Sequence, residues 1–347
     1  MSSEQLELTA RQREILRRVV EGYVETGQPV GSKVLVERAG MAVSASTVRN
    51  ELAELESLGL LTHPHTSAGR VPTERGYRYY AEVLLEALDP RPAPFPLDLT
   101  TARSEVDAAI EATTEMLSEL TRLLALVSAP PLGATSVRRV EVLLLQPTVA
   151  MVVVITSTGG VTKRAYTFRE PVDPGLANWA AEYLNETISG GTLGSSLIRR
   201  CFEDPSLPPR EARFLAELRP AFTELLEGEA ERLFIGGAAE LLEDASAADL
   251  GGYRHLLELL EKRAALLAVV KQTLDPRRPF VRVGEDLAHP ALHDLALVGA
   301  SYGLANRTLG AVSLLGPVRM DYDKAIRSVR AAAHELSRFV EEIYEDN

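Results

Sequence analysis

Between Leu8 and Ser57 the chain lays down three successive helical patterns, and a hairpin bracketed by proline and glycine follows at once. That order leaves few folds open. In the third pattern Ser44 stands as an N-cap, and Val48, Leu52 and Leu55 fall at i, i+4 and i+7, a narrow arc at about 100° per residue. Ser46, Asn50, Ala53 and Ser57 lie opposite that stripe, with Thr47 and Arg49 on its flanks. An ordinary solvent face carries Lys and Glu, whereas this one is small and hydrogen-bonding. Such a face fits a DNA major groove, where Arg pairs with guanine edges and Asn with adenine. Ser46, Thr47, Arg49 and Asn50 are therefore the candidate base readers.

The flanking segments fit the same fold. Thr9 and Gln12 form a capping-box pattern, and the apolar pairs Ile15/Leu16, Val19/Val20 and Tyr23/Val24 give one buried stripe. Gly27, Pro29 and Gly31 break that helix, and Ser32 to Ala39 reads as a short second one ended by Gly40. After the third helix, Thr62 to Val71 holds the turn residues Pro64 and Gly69 between two short extended pieces, a hairpin or wing. His65, Arg70 and the hydroxyls of Thr66 and Ser67 on that wing are candidate sugar and phosphate contacts. Thr73 then caps a fourth helix bearing Arg75 and Arg78, and a helix N-terminus with nearby Arg makes a phosphate clamp. The chain carries a net charge of -12, from 37 basic and 49 acidic residues, so this basic patch sits in an acidic protein. A reader of one DNA site suits that asymmetry, because the acidic remainder suppresses indiscriminate binding.

Three helices, a hairpin and a following helix make a winged helix-turn-helix. Its residues also carry a resemblance. The runs Pro29-Val30-Gly31-Ser32, Val43-Ser44-Ala45-Ser46-Thr47-Val48-Arg49-Asn50-Glu51-Leu52, Pro64-His65-Thr66-Ser67-Ala68-Gly69-Arg70-Val71-Pro72-Thr73 and Gly76-Tyr77-Arg78-Tyr79-Tyr80 strongly resemble the HrcA family of bacterial heat-inducible transcription repressors. Val48 stands where that family's pattern has Ile, a conservative departure.

Beyond the winged helix, expected to occupy residues 1–88, the segment 89–100 is proline-rich and reads as a semi-extended spacer. Thr101 to Ser128 shows a long amphipathic pattern through Val106, Ile110, Leu117, Leu120, Leu124 and Val127, predicting a single helix. Strand-like runs follow at Val140 to Leu145, Val149 to Thr156 and Val161 to Phe168, and return at Phe280 to Val283, Leu295 to Tyr302 and Leu309 to Leu315. Asp173 to Leu274 reads as mainly helical, and a last helix covers about Asp321 to Tyr344. Strands, a helical block and strands again suggest an α+β multidomain chain interrupted by an insertion. The resemblance implies a GAF-like α/β domain, here 101–170 with 276–347, and a mostly helical inserted dimerisation domain at 171–275. The matching pieces are Phe234-Ile235-Gly236-Gly237-Ala238-Ala239, Val283-Gly284-Glu285 and Gly316-Pro317-Val318-Arg319-Met320-Asp321-Tyr322.

Candidate chemistry outside DNA binding is thin. The single cysteine, Cys201, precludes an internal disulfide and reads as a buried thiol in a reducing cytosol. His63-Pro64-His65 lacks further ligands at metal spacing, and Pro290 interrupts the helix that would bring His289 and His293 together. Arg319 suits an anion, but a strand-to-helix turn explains the same residues more economically. No nucleophile with its base is found, so neither an enzyme nor a cofactor is expected. Met1 to Thr9 is polar and no apolar run is long enough to cross a bilayer, so a cytoplasmic protein without membrane contact is the expectation. The resemblance implies a homodimer on an inverted-repeat double-stranded DNA operator upstream of chaperone genes. It also implies that the GroE chaperonin keeps the repressor active until heat diverts it. The alternative is a regulator whose GAF-like domain senses a metabolite.

Overall fold

The computed structural model describes residues 7–37, 44–65, 69–99, 105–130, 136–157, 159–192, 196–222, 232–238, 266–270, 278–287, 289–305 and 307–345. Helix α1 (Ala10–Thr26) starts at the expected capping box. Thr9 Oγ1 accepts from the Gln12 N–H at 3.2 Å, and Gln12 Oε1 accepts from the Thr9 N–H at 3.0 Å. The helix stops at Gly27, whose φ of 66° is a left-handed conformation that favours glycine. Helices α2 (Ser32–Glu37) and α3 (Ala45–Ser57) follow, while the expected stop at Gly40 lies outside the described residues. Strands β1 (Leu61–Thr62) and β2 (Val71–Pro72) pair antiparallel with Leu61 opposite Pro72, and Val30 bridges to Arg70. Helix α4 (Glu74–Glu86) closes the unit. Ile15, Leu16, Val19, Val48, Leu52, Leu55 and Leu60 are buried together, so the stripes expected on the first and third helices meet.

The rest of the chain divides differently from the sequence reading. The expected single helix over Thr101 to Ser128 is helix α5 (Val106–Thr121) and then strand β3 (Leu124–Ser128). Arg122, at a φ of 56°, turns the chain between them. All five β3 residues are buried, because β3 lies inside a sheet covered on both faces. A fully covered strand shows a continuous apolar run, and periodicity cannot separate that from a buried helix.

Hydrogen-bonded pairing also redraws the sheets. Strands β4 (Val137–Gln146), β5 (Val149–Thr156) and β6 (Val161–Thr167) pair only with one another, as an antiparallel meander. Helices α6 (Pro174–Ile188), α7 (Ser196–Phe202) and α8 (Pro209–Leu218) cover one face of it, around a separate core of Val140, Val152, Val154, Leu184, Leu215 and Phe222. Asn185 on α6 seals the outer edge of β4, accepting from the Val140 N–H at 2.9 Å and donating to Val140 O at 2.6 Å. Residues 137–222 thus form one unit, and the three strands expected in the larger α/β domain belong to it. Short turns explain this: neighbours in sequence pair locally before any distant strand is available.

The second sheet runs β7 (Leu233–Gly236), β3, β10 (Arg307–Pro317), β9 (Leu295–Leu304) and β8 (Phe280–Val283), with every neighbour antiparallel. Strand β7 lies in the block expected to be helical. On one face α5 and helix α9 (Tyr322–Glu345) pack over Ala125, Val127, Val298, Val312 and Leu314. On the other, the helical residues 266–270 pack over Leu124, Leu126, Leu297 and Leu315.

The proline segment is a further correction. Phe95 and Leu99 are 8% and 3% exposed and join the main core, and Arg330 on α9 donates to Asp89 O at 2.8 Å. Apolar side chains alternate with prolines that carry no N–H to satisfy, so the segment is a packed strap and not a free spacer. No helix among the described residues is long and apolar enough to cross a membrane.

Candidate nucleic-acid interface

Helix α3 is held from beneath. Val48, Leu52 and Leu55 are buried, which turns Ser46, Arg49, Asn50 and Ala53 outward, all exposed. Ser44 caps the helix by accepting from the Thr47 N–H at 3.2 Å, and its hydroxyl lies 2.7 Å from Ser46 Oγ and 2.9 Å from Thr47 Oγ1. The first turn therefore presents a preorganised hydroxyl cluster at the positive end of the helix dipole. Among the described residues Arg49 and Asn50 have no side-chain partner, so both stay available for an outside one.

Carboxylates on the same helix would repel phosphate if they were unpaired. Arg11 of α1 offsets Glu51 at 3.2 Å, while the neutral Gln12 amide donates from Nε2 to Glu54 at 2.7 Å without offsetting its charge. These two links also fix the angle of α3 on α1. Glu56 accepts from Arg70 Nη2 at 2.7 Å and lies against His63 Nδ1, tying the last turn of α3 to the root of the wing. None of these partners follows a local spacing rule, and sequence reasoning missed them.

The residues expected on the DNA backbone separate into groups. Arg70 is spent within the protein: its side chain is only 23% exposed, and its main chain exchanges both hydrogen bonds with Val30 at 2.9 Å. Thr73 is a structural cap, accepting from the Gly76 N–H at 3.1 Å and donating to Gly59 O at 2.7 Å. Arg75 is exposed and donates to Leu58 O at 3.0 Å, satisfying the C-terminal end of α3. Arg78 turns away from the wing toward the five-stranded sheet, where its Nε meets Asp286 Oδ2 at 2.6 Å. His65 is exposed at the wing, and Thr66 and Ser67 lie outside the described residues.

Other candidates gain no support as sites. Cys201 is 2% exposed, and burial pushes its thiol up to about 11, which leaves it protonated and unreactive. His289 and His293 flank a short 3-10 turn over Pro290–Leu292, and no metal-binding group of three side chains is found among the described residues.

Comparison with known proteins agrees with this geometry. Residues 7–83 match the family described as "Winged helix-turn-helix transcription repressor, HrcA DNA-binding", and residues 107–326 match "HrcA protein C terminal domain". The heat-inducible transcription repressor HrcA of Nocardia farcinica is 34% identical over 336 residues, covering 96% of this chain and 97% of that protein. Its counterpart in Moorella thermoacetica is 33% identical over 345 residues, covering 98% and 100%. A crystal structure described as a hypothetical protein at 2.2 Å resolution shares the fold, with a TM-score of 0.62 at 24% identity, covering 97% of this chain and 98% of that one. With an exposed, capped third helix on a winged helix and relatives of matching length, the chain belongs to the HrcA family of heat-inducible transcription repressors.

Proposed function

We propose that a homodimer of this chain represses chaperone operons by placing two copies of α3 on the halves of an inverted-repeat operator. Arg49 and Asn50 read base edges, Ser46 and Thr47 support them from the first turn, and His65, Thr66 and Ser67 of the wing meet the backbone. Arg75, exposed and bonded to Leu58 O just before β1, joins them. The observation that carries this is the outward face of α3, exposed and held by a buried stripe.

A dimer has a candidate seat on the 137–222 unit. The face of the β4–β5–β6 sheet away from its helices shows Leu143, Leu145 and Val161 at 46%, 52% and 62% exposure, beside Met151, Val153 and Ile155. Register places Glu141, Val153 and Lys163 in one row across the strands. A two-fold axis parallel to β5 lays this row on its own reverse, Glu141 over the partner's Lys163 and Val153 over the partner's Val153. An apolar face with self-complementary charge fits a second copy of the chain. On this reading 137–222 is the dimerising insertion, and the five-stranded sheet with α5 and α9 is the GAF-like domain.

Relief by heat follows from marginal stability. A shift of about 1.4 kcal/mol changes the folded ratio tenfold, so diverting the GroE chaperonin to other clients empties the operator. Gel-shift titration on DNA upstream of the host's chaperonin operon tests this. After a heat challenge, binding returns only when chaperonin is added; recovery without it contradicts the proposal. A metabolite sensor is the second reading, favoured by a cavity of ≈ 510 Å³ between α5 and β7, lined by Glu111, Thr114, Glu115 and Arg232. Thermal stabilisation by a micromolar metabolite, with no need for chaperonin, supports that reading instead.

A further inference from the structure

The winged helix is gripped by two turns of the C-terminal body. At the first turn, Asp286 Oδ2 takes Arg78 Nε at 2.6 Å and the Val283 N–H at 3.3 Å, and Val283 O accepts from Arg78 Nη2 at 3.4 Å. Beside it, Glu74 closes on Gly284 so tightly that a Cβ there would sit 2.1 Å from Glu74 Oε2. At the second turn, between β10 and α9, Tyr322 is 1% exposed, with Tyr77 at 5.7 Å and Tyr80 edge-on at 6.5 Å. Arg319 from the same turn lies 5.6 Å above the Tyr23 ring. Its Nη1 also lies 2.5 Å from where a Cβ on Gly27 would be, at the C-terminal end of α1. A cation there meets the negative end of the helix dipole.

These contacts fall on α1 and α4, while Ser46, Arg49 and Asn50 on α3 stay exposed. The grip therefore leaves the reading face open and governs only its position. One apolar core also runs from Ile15 through Tyr77 and Tyr322 to Leu336, so the unit is seated on the body and not tethered to it. A dimeric reader is selective for half-site spacing only if its recognition helices are held at a fixed distance and angle.

We infer that Arg78, Asp286 and Arg319 are positioning residues that fix the winged helix on the body and so set the operator spacing the dimer accepts. This rests on the DNA-binding reading above. The ion pair joins residues 208 positions apart, so charge reversal at Arg78 breaks the link between winged helix and body and leaves the Val283 N–H to Asp286 bond in place.

The experiment uses the full-length protein and operators whose half-sites are moved closer or apart by one to five base pairs, with a single half-site and scrambled DNA as controls. The wild type is expected to lose about tenfold or more in affinity for a shift of two base pairs. Arg78→Asp and Arg319→Ala are expected to lose about threefold or less for the same shift, with single half-site affinity unchanged. Combining Arg78→Asp with Asp286→Arg re-forms the ion pair, though not the Val283 N–H bond, and is expected to sharpen the dependence again relative to Arg78→Asp alone, an outcome general destabilisation does not produce. Folded, dimeric variants with the wild-type spacing profile overturn the inference, as does a double variant no sharper than the single one. If the wild type binds operator and scrambled DNA alike, the DNA-reading proposal itself fails, and the inference falls with it.

Discussion

At the scale of single residues, the interface depends on which charges are already spent. Arg70 looked like a phosphate ligand because it lies on a basic wing, yet its guanidinium is paired with Glu56 and shielded to 23% exposure. If the pair is kept on DNA, Arg70 releases no counterion there. Arg70→Met is therefore expected to lower thermal stability by about 1 kcal/mol while changing the salt slope of DNA binding by less than about 0.5. A slope reduced by about one unit, measured by titration over a range of salt, places Arg70 on a phosphate instead. The outward placement of Arg49 and Asn50 needed only the helical wheel, because burial of Val48, Leu52 and Leu55 dictates what faces out. The assignments of Arg70 and Arg78 needed partners 14 and 208 residues away, and no spacing rule supplies those.

At the scale of elements, the winged helix was legible because α1, α3 and α4 carry their own start signals and α1 its own stop. Thr9, Ser44 and Thr73 all cap as expected, and Gly27 ends α1. The strands at Phe280 and beyond were legible for the same reason, as compact apolar runs between breakers. Strand β3 was hidden because burial on both faces removes alternation, leaving Leu124 and Val127 to mimic a continuing helix. Four-residue β7 is an edge whose partner, β3, was itself unread. A tight backbone approach occurs at Gly76, on the first turn of α4, where a Cβ would lie 2.1 Å from Leu60 O. The same carbonyl accepts from the Thr73 N–H at 3.1 Å, so α4 cannot retreat without losing its seat. Gly76→Ala is expected to cost about 3 kcal/mol in denaturant unfolding. A loss under about 0.5 kcal/mol shows that the wing and α4 move apart freely.

At the scale of the whole molecule, two of the three apolar cores among the described residues serve distinct tasks. The largest joins the winged helix to one face of the five-stranded sheet, and another stands under the β4–β5–β6 sheet, whose far face is left apolar. If that face pairs two copies, Val153→Asp buries like charges at its centre. The variant is expected to run as a monomer in sedimentation and to lose operator affinity by about tenfold or more, with its helical content intact. A dimer that persists in this variant moves the interface elsewhere. Base reading by α3 is tested most directly by competition titration. The ratio of operator to scrambled-DNA affinity is measured for the wild type and for Arg49→Ala and Asn50→Ala. Each substitution is expected to reduce that ratio by about 1 to 3 kcal/mol while leaving scrambled-DNA affinity nearly unchanged. Wild-type ratios in both variants contradict the claim and remove α3 as the reader.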